Sequence, residues 1–513
     1  MSGKRKKWIL GLLLGYAAAL VLLVAAERGA EGATIRTVGD ALWYSLVTMS
    51  TVGYGDLAPV TPLGRVIGIL FVGMSIGLFG LLLQTAFSFA AGQLAPRLRM
   101  AMGRNRTWYV FTVAEEETLV LAENLLAGER DALAVFCGEA DPHAYPRRFC
   151  FPGQTAEEIA DDVARKRIRC VFFLWRNERL FPDGIPAHVR VIRRENPADP
   201  GGPGECFNPL AAMARQYWRD DPIQPSEREI LFIGDGEAAQ ELLTRALLNQ
   251  DMVPFRTVTY RVTGDWAVFR RNHYRLEDCL AVNRTEEGRD SLFFEERPWN
   301  DAELIGRADR IILCAADQEQ NLCHLRMLRT WFPVKATVHL YGEHEAEGAR
   351  CFGGSAGVLT RENVLQDEIN RLARAMHERY RRENGGPAWE ELSGFIRESN
   401  GAAADHLLMK ARLLTGREET DDARRYRLAL ERFLEASGDL REMCRRNEHD
   451  RWMRFHCFYN WQWGAEKNPA LRQHPSMLPF ERLTAEEQAK DDFAWELLET
   501  AAENAKSAEG GRK

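Results

Sequence analysis

Four short stretches carry residue types that could do chemistry. Gly234-Asp235-Gly236-Glu237-Ala238-Ala239 follows the β-branched run "EILFIG" and opens the amphipathic run "AAQELLTRALL". A G-x-G-x-x-A turn between strand and helix offers backbone N–H groups and a helix N-terminus to a phosphate, which makes Gly234, Asp235, Gly236 and Ala239 candidate nucleotide-binding residues. No acid for a ribose hydroxyl is obvious on the next strand, where Tyr260 and Arg261 stand; Arg261 could accept a phosphate there. A retained tight turn explains the same glycines without a ligand. The second stretch is the densest in aromatics and holds Trp452, Phe455, Phe458, Tyr459, Trp461 and Trp463, with Arg451 and Arg454 among them and Arg472 and His474 downstream. Exposed rings would stack on a base with arginine help, whereas buried rings would be core. The third is acidic: Ala114-Glu115-Glu116-Glu117, matched later by Glu343-His344-Glu345 and Glu347. Such carboxylates suit a divalent cation, but a helix N-terminus favours acids by itself, and no metal site is assigned. The fourth, Thr48-Met49-Ser50-Thr51-Val52-Gly53-Tyr54-Gly55-Asp56, places two glycines where left-handed backbone costs no Cβ clash.

The elements that must position these residues divide the chain in two. Trp8 to Ala26 is uncharged and long enough to cross a hydrocarbon core of about 30 Å. Val66 to Pro96 is also uncharged, and at about 1.5 Å per residue it exceeds that thickness, so it should project beyond a bilayer or tilt. Lys4, Arg5, Lys6 and Lys7 precede the first run, and Arg97, Arg99, Arg104 and Arg106 follow the second, which puts both ends on the cytoplasmic side. Val38 to Ser50 is too short to span and suits a half-helix that enters and returns. The remainder is charged and globular in character. The net charge of -7 gives no basic field for nucleic acid. All ten cysteines lie at or beyond Cys137 without a C-x-x-C pair, as in a reduced compartment. With no nucleophile elbow, zinc motif, P-loop or acid/base pair, the chain is not expected to be an enzyme.

The Thr48–Asp56 stretch resembles the signature of potassium channels. The resemblance implies that the carbonyls of Thr51, Val52, Gly53 and Tyr54 and the Thr51 hydroxyl replace the hydration shell of K+, the permeant ion, with Gly53 and Gly55 allowing the backbone to alternate in hand. It implies a homotetramer around the ion. Trp43, Tyr44 and Tyr54 would form an aromatic cuff, with Thr48 and Asp56 also supporting the filter. Many family members carry glutamate just before the first signature threonine; here Val47 stands there, and Asp56 lacks that carboxylate partner. Gly73, Gly77 and Gly80 in the second apolar run permit close helix packing or bending, and Gly73 and Gly77 are the better gate-hinge candidates. No arginine-rich helix precedes the pore, so control must come from elsewhere.

Beyond Thr107, short β-branched or aromatic runs alternate with amphipathic stretches, which predicts βαβ units and a parallel sheet. Strands are expected at 108 to 113, 132 to 137, 169 to 175 and 189 to 192, and again at 229 to 234, 257 to 262, 310 to 315 and 336 to 342. A two-span pore followed by two such halves resembles potassium channels with tandem RCK (TrkA-N-like) domains, over residues 107 to 345. That resemblance implies a cytosolic gating ring. Asn460-Trp461-Gln462-Trp463-Gly464 and His474-Pro475-Ser476-Met477-Leu478-Pro479 resemble the ryanodine-receptor repeat (RyR) domain, with Asn460 and Trp463 in place of the commoner Gly and Tyr. It implies a nucleotide-signal receptor with Arg451, Trp452, Tyr459, Trp461, Trp463 and His474 as pocket candidates.

The expected fold is a membrane α-helical pore (two spans plus a pore helix), then cytosolic α/β Rossmann-like domains and an α-rich C-terminal RyR-like domain. The expected boundaries are 1-103 for the pore module, 104-222 and 223-360 for the RCK-like halves, 361-437 for a helical connector, 438-500 for the RyR-like domain and 501-513 for a polar tail. The expected function is a tetrameric, potassium-selective, ligand-gated ion channel of the cell membrane, multi-pass with cytoplasmic termini, its effector a nucleotide of unknown identity. The alternatives are a membrane-anchored nucleotide receptor or enzyme, and a channel gated by divalent cations.

Overall fold

The computed structural model describes residues 3–49, 52–90, 94–138, 145–146, 148–175, 185–186, 189–195, 205–249, 257–282, 284–285, 288–343, 345–416 and 421–510. The chain packs as two compact units: Met1–Ala114, Asp131–Leu174 and Glu178–Arg190 form the first, and Glu115–Arg130, Trp175–Asn177 and Val191–Lys513 the second.

Three helices open the first unit, Gly3–Glu27, Val38–Met49 and Pro62–Phe89. Of the expected second span, Pro62–Phe89 and Ala95–Met102 are helical, and residues 91–93 lie outside the described set. Among the described residues, no helix is long and apolar enough to cross a membrane. The short middle helix starts on a reciprocal cap, Thr37 Oγ1 accepting from Asp40 N (3.1 Å) and Asp40 Oδ2 from Thr37 N (2.8 Å). The third starts on Thr61, whose hydroxyl accepts from Gly64 N (2.8 Å), with Pro62 in the first turn. Glu27, fully buried, joins the first helix to the third by accepting from Val60 N (2.9 Å), Thr61 N (3.0 Å) and Thr61 Oγ1 (2.8 Å). Gly64 makes room for it, since a Cβ there would lie 2.0 Å from Glu27 Oε1. Leu20, Leu23, Ile35 and Ala41 form the apolar centre of this bundle.

The strands β1 (Thr107–Phe111), β2 (Ala132–Phe136), β3 (Phe149–Cys150) and β4 (Cys170–Leu174) follow, in the order β3-β2-β1-β4 and all parallel. β1 and β2 are almost continuously apolar, as strands covered on both faces must be. Phe111 stacks between Phe136 and Phe173, each centroid 4.8 Å away.

In the second unit, β5 (Arg190–Arg194) pairs in parallel with β6 (Glu205–Phe207). A six-stranded sheet then builds from β7 (Glu229–Ile233) and β8 (Thr259–Thr263), then, past the short ribbon β9 (Arg284–Thr285) and β10 (Gly288–Arg289), β11 (Ser291–Glu295), β12 (Arg310–Leu313), β13 (Thr337–Tyr341) and β14 (Arg350–Phe352). Its order, β11-β8-β7-β12-β13-β14, is the 3-2-1-4-5-6 of a doubly wound nucleotide-binding sheet, with its crevice between β7 and β12. Beyond it the chain is helical. Asp367 adopts φ +52° and breaks the helix Arg361–Gln366 from the 3-10 turn Glu368–Asn370 and the helix Arg371–Asn384, which stops at Gly385. Helices Gly394–Thr415, Asp422–Glu435, Asp439–Phe458 and Leu498–Gly510 close on Leu407, Phe433 and Trp495, and the Trp495 indole donates to Cys444 O (2.7 Å).

Candidate functional site

The Val38–Met49 helix delivers the chain to the 52–56 turn. Val47 O accepts from Val52 N (3.2 Å) and Gly53 N (3.3 Å), folding the strand back beside the helix end. Gly53 (φ +57°) and Gly55 (φ +72°) are both left-handed, and no atom lies within 4 Å of a Cβ built on either. The Trp43 indole donates to Asp56 Oδ2 (3.0 Å), and its ring lies parallel to Tyr54, centroids 6.4 Å apart and planes within 3°. Asp56 thus finds its brace in Trp43. Thr48 Oγ1 donates to Tyr44 O (2.6 Å), and the Tyr16 and Ser45 hydroxyls bond at 2.6 Å behind the helix. Val52 and Tyr54 are exposed in the single chain. Thr51 lies outside the described residues, and Gly73 and Gly77 lie within Pro62–Phe89, where nothing stands within 4 Å of a Cβ on Gly73.

The second unit contains an aromatic cavity of ≈ 540 Å³ lined by Phe395, Trp452, His456, Tyr459, Trp461 and His474, with Lys467 and Arg472 exposed among its lining. Trp452 and His456 are one helical turn apart, which puts both rings on one face, centroids 4.0 Å apart. Trp461 stacks on Phe395 (5.3 Å), carried in from the start of Gly394–Thr415. Asn460 makes the turn to Trp461 at φ +63°, a conformation asparagine tolerates, and its amide donates to Asn272 O (2.6 Å).

The two histidines are chemically distinct. His456 Nδ1 faces Trp452 O at 2.9 Å, and a carbonyl only accepts, so Nδ1 carries the proton and Nε2 is the acceptor. His474 Nδ1 instead accepts from Ser476 N (3.2 Å), which leaves Nε2–H as donor. Burial first, then the Arg451, His474 and Lys467 charges, push His456 down to about 3, and burial with Lys467 lowers His474; both rings are neutral at pH 7. A cavity offering stacked rings, one acceptor, one donor and two nearby cations fits a heteroaromatic base with an anionic tail.

The other expected pocket residues are placed differently. Arg451 is buried against Glu448 (2.8 and 2.9 Å), whose carboxylate also takes Lys410 Nζ (2.5 Å). Arg454 pairs with Asp290 (2.6 Å), and Trp463 is exposed on a two-residue strand outside the cavity. His456, Lys467 and Phe395 complete the cavity without having been expected. Trp452 and His456, spaced i and i+4 on a helix, are the signal that points to the first.

The Gly234 turn lies at the β7–β12 crevice. Gly234 takes φ +139°, and a Cβ there would meet Ala315 N at 2.5 Å and Cys314 C and O at 2.6 Å. A Cβ on Gly236 would meet Ala316 Cβ at 2.9 Å, and Ala239 is fully buried. Asp235 Oδ2 accepts from Asp265 N (2.7 Å). Arg261 lies between Glu229 and Glu295, 2.5 Å from each, and over the Phe293 ring. Of the acidic turns, Glu117 accepts from the Trp175 indole (2.5 Å) and Arg194 (3.1 Å), Glu343 accepts from Ser355 N (2.5 Å), and His344 lies outside the described residues. Among the described residues, no three acids, histidines or cysteines cluster to hold a metal ion.

Residues 8–91 match the model of a family described as "Ion channel". The chain is similar to the calcium-gated potassium channel TvoK of Thermoplasma volcanium, 24% identical over 268 residues, which is 47% of this chain and 69% of that protein. A voltage-gated potassium channel of Aeropyrum pernix is 43% identical over 70 residues, 14% of this chain and 23% of that protein. A solved structure, the GsuK channel, is 15% identical and covers 70% of this chain and 98% of its own, with a TM-score of 0.34. The 52–56 turn, the Trp43–Asp56 brace and the Glu27 clamp all fall inside the matched residues.

Proposed function

We propose that the chain is a homotetrameric, potassium-selective channel of the cell membrane, multi-pass with cytoplasmic termini, whose opening is set by a nucleotide bound to a cytosolic ligand-sensing assembly. The observation that carries the channel reading is the 52–56 turn, with two left-handed glycines and a Trp43–Asp56 bond holding it to the preceding helix. In this reading fourfold repetition turns the Val52, Gly53 and Tyr54 carbonyls, with those of Thr51, toward one axis. The channel domain and the potassium channels similar to it support the same conclusion.

The effector site is the aromatic cavity. Trp452 and Trp461 stack on the base, the His456 acceptor and the His474 donor read its edge, and Lys467 and Arg472 meet the phosphates. A nucleotide can shift the open population only by binding one gate state more tightly than the other. The Gly234 turn is a second place for such a ligand, with its glycines already required by backbone packing. Gating by a divalent cation is the second reading, favoured by the calcium-gated relative.

Reconstitution into potassium-loaded liposomes tests both parts. Flux that rises or falls with micromolar purine nucleotide, and loses that response in Trp461→Ala, supports the proposal. Flux that responds to calcium and not to nucleotide favours the second reading, and no potassium-selective flux under any condition removes the channel.

A further inference from the structure

A second cavity of ≈ 310 Å³ lies among helices Pro209–Asp220, Gly394–Thr415, Asp422–Glu435 and Leu498–Gly510 of the second unit, sharing no lining residue with the aromatic one. Four arginines reach it, and their partners are unequal. Arg215 is fully engaged, with Nε and Nη2 on Asp405 (2.6 and 3.0 Å), Nη1 on Asn370 Oδ1 (2.6 Å) and Nη2 also on Ile369 O (2.9 Å). Arg371 pairs with Glu368 (2.8 Å), and the third lining acid, Asp422, pairs with Arg425 (2.5 Å).

Two cations are left over. Arg219 approaches Asp405 only at 3.9 Å, although Asp405 is already neutralised by Arg215. The Arg412 guanidinium makes no ion pair or hydrogen bond among the described residues, and its Nη1 is buried without a partner. Burial, and then the Arg425 charge, lower Arg412 from the usual arginine range, against the opposing pull of Asp422 and Tyr426. Tyr426 lies in the field of Arg219, Arg412 and Arg425 together. A buried cation with no counterion is destabilising, and a bound anion removes that cost. Trp218, Leu372 and Leu408 give the wall an apolar part, with Asn249 and Asn504 beside them.

We propose that this cavity binds a small organic phosphate, its oxygens held by Arg412, Arg219 and the Tyr426 hydroxyl and its carbon body against Trp218 and Leu408. Two guanidiniums match a dianion and its several acceptor oxygens, and the volume exceeds what inorganic phosphate needs. Bound there, the ligand ties Arg219 on the Pro209–Asp220 helix to Arg412 on Gly394–Thr415. The site is independent of the nucleotide reading of the aromatic cavity.

Thermal unfolding of the full chain in nanodiscs, with glycerol 3-phosphate, inorganic pyrophosphate, succinate or sodium chloride at matched ionic strength, tests it. Both phosphates should raise the unfolding temperature beyond chloride. In Arg412→Met the half-saturating concentration should rise about ten-fold or more, while the ligand-free variant unfolds at the wild-type temperature or higher, because it loses an uncompensated charge. Arg219→Met should weaken binding similarly and serves if Arg412→Met does not fold. Trp461→Ala should leave the shift intact. The proposal is overturned if the phosphates do no more than chloride, if succinate does as well as they do, or if the shift survives both arginine variants and is lost in Lys467→Ala.

Discussion

Two glycine turns, one at Gly53 and Gly55 and one at Gly234 and Gly236, look alike as strings of letters and differ in what makes them glycine. At Gly234 the chain itself supplies the reason: β12 passes so close that a Cβ would lie 2.5 Å from Ala315 N. At Gly53 and Gly55 no described atom beyond the adjoining residues lies within 4 Å of a Cβ built there. The Gly234 turn is glycine because of its own packing, and the 53–55 turn because of its left-handed backbone alone. A glycine motif is a stronger pointer to function where the surrounding structure does not already require it.

Substitution separates the two. Gly53→Ala costs the fold only about 1–2 kcal/mol of left-handed strain, yet it should reduce potassium flux in liposomes to background while leaving the unfolding temperature of the cytosolic part unchanged. Wild-type flux from this variant would falsify the filter assignment. Gly234→Ala should act the other way round, destabilising the second unit by more than about 3 kcal/mol through backbone collision and strain at φ +139°. Its readout is thermal or urea unfolding. A Gly234→Ala protein that unfolds like wild type and has lost only its nucleotide response would reverse the comparison, making that turn the functional one.

The aromatic cavity gives a third, smaller effect. Trp452→Ala removes one stacking face and should weaken purine-nucleotide binding by roughly ten- to a hundred-fold, from about 1–3 kcal/mol per stacked base. Because His456 is held down to about 3, nucleotide affinity at constant ionic strength should not vary through His456 between pH 6 and 8. The sign for stability is separate. The unfolded imidazole takes its proton near 6.5 and the folded one does not, so this contribution is present above 6.5 and lost as pH falls toward 3. A binding curve from calorimetry that titrates with a midpoint near 6.5 and loses that dependence in His456→Gln would show the ring to be accessible and charged, and the proposed acceptor role would go with it.

The sheet interior was legible because buried parallel strands are uninterrupted runs such as "TWYVF" and "EILFI", found within two residues of their expected limits. The edges were not. β3 and β14 are two and three residues long, β6 is largely exposed, and β11 has no buried face, so none leaves a hydrophobic period to read. The left-handed glycines of the 52–56 turn were legible from the motif, but Glu27 was missed, since a lone acid at the end of an apolar run reads as a solvated terminus until its three hydrogen bonds are seen. The cavity was half legible. Trp452, Tyr459, Trp461 and His474 line it as expected, but Phe395 comes from a distant helix, and Arg451 turns inward because Glu448 and Lys410 are buried beside it. Side-chain direction across helices is a tertiary property.

That inward network gives the smallest and most specific test. His449 stacks on Trp452 (5.9 Å) and faces Asp491 at 3.9 Å, so the wall of the cavity rests on this buried charge cluster. Burial, and then the Glu448 carboxylate, push Asp491 up to about 8, against the pull of Lys410 and Arg451. An ordinary aspartate in the unfolded chain releases its proton near 4. The folded protein therefore holds a proton that the unfolded chain gives up, and this contribution is full below 4 and declines as pH rises through 8. Asp491→Asn imitates the protonated acid at every pH. Relative to wild type it should gain stability between pH 5 and pH 8.5, by about 2 kcal/mol once relaxation discounts the full shift, with potassium flux unchanged. Unfolding temperatures of the two proteins that run parallel from pH 5 to pH 8.5 would mean that Asp491 is an ordinary surface acid, and that the wall behind Trp452 is held by packing alone.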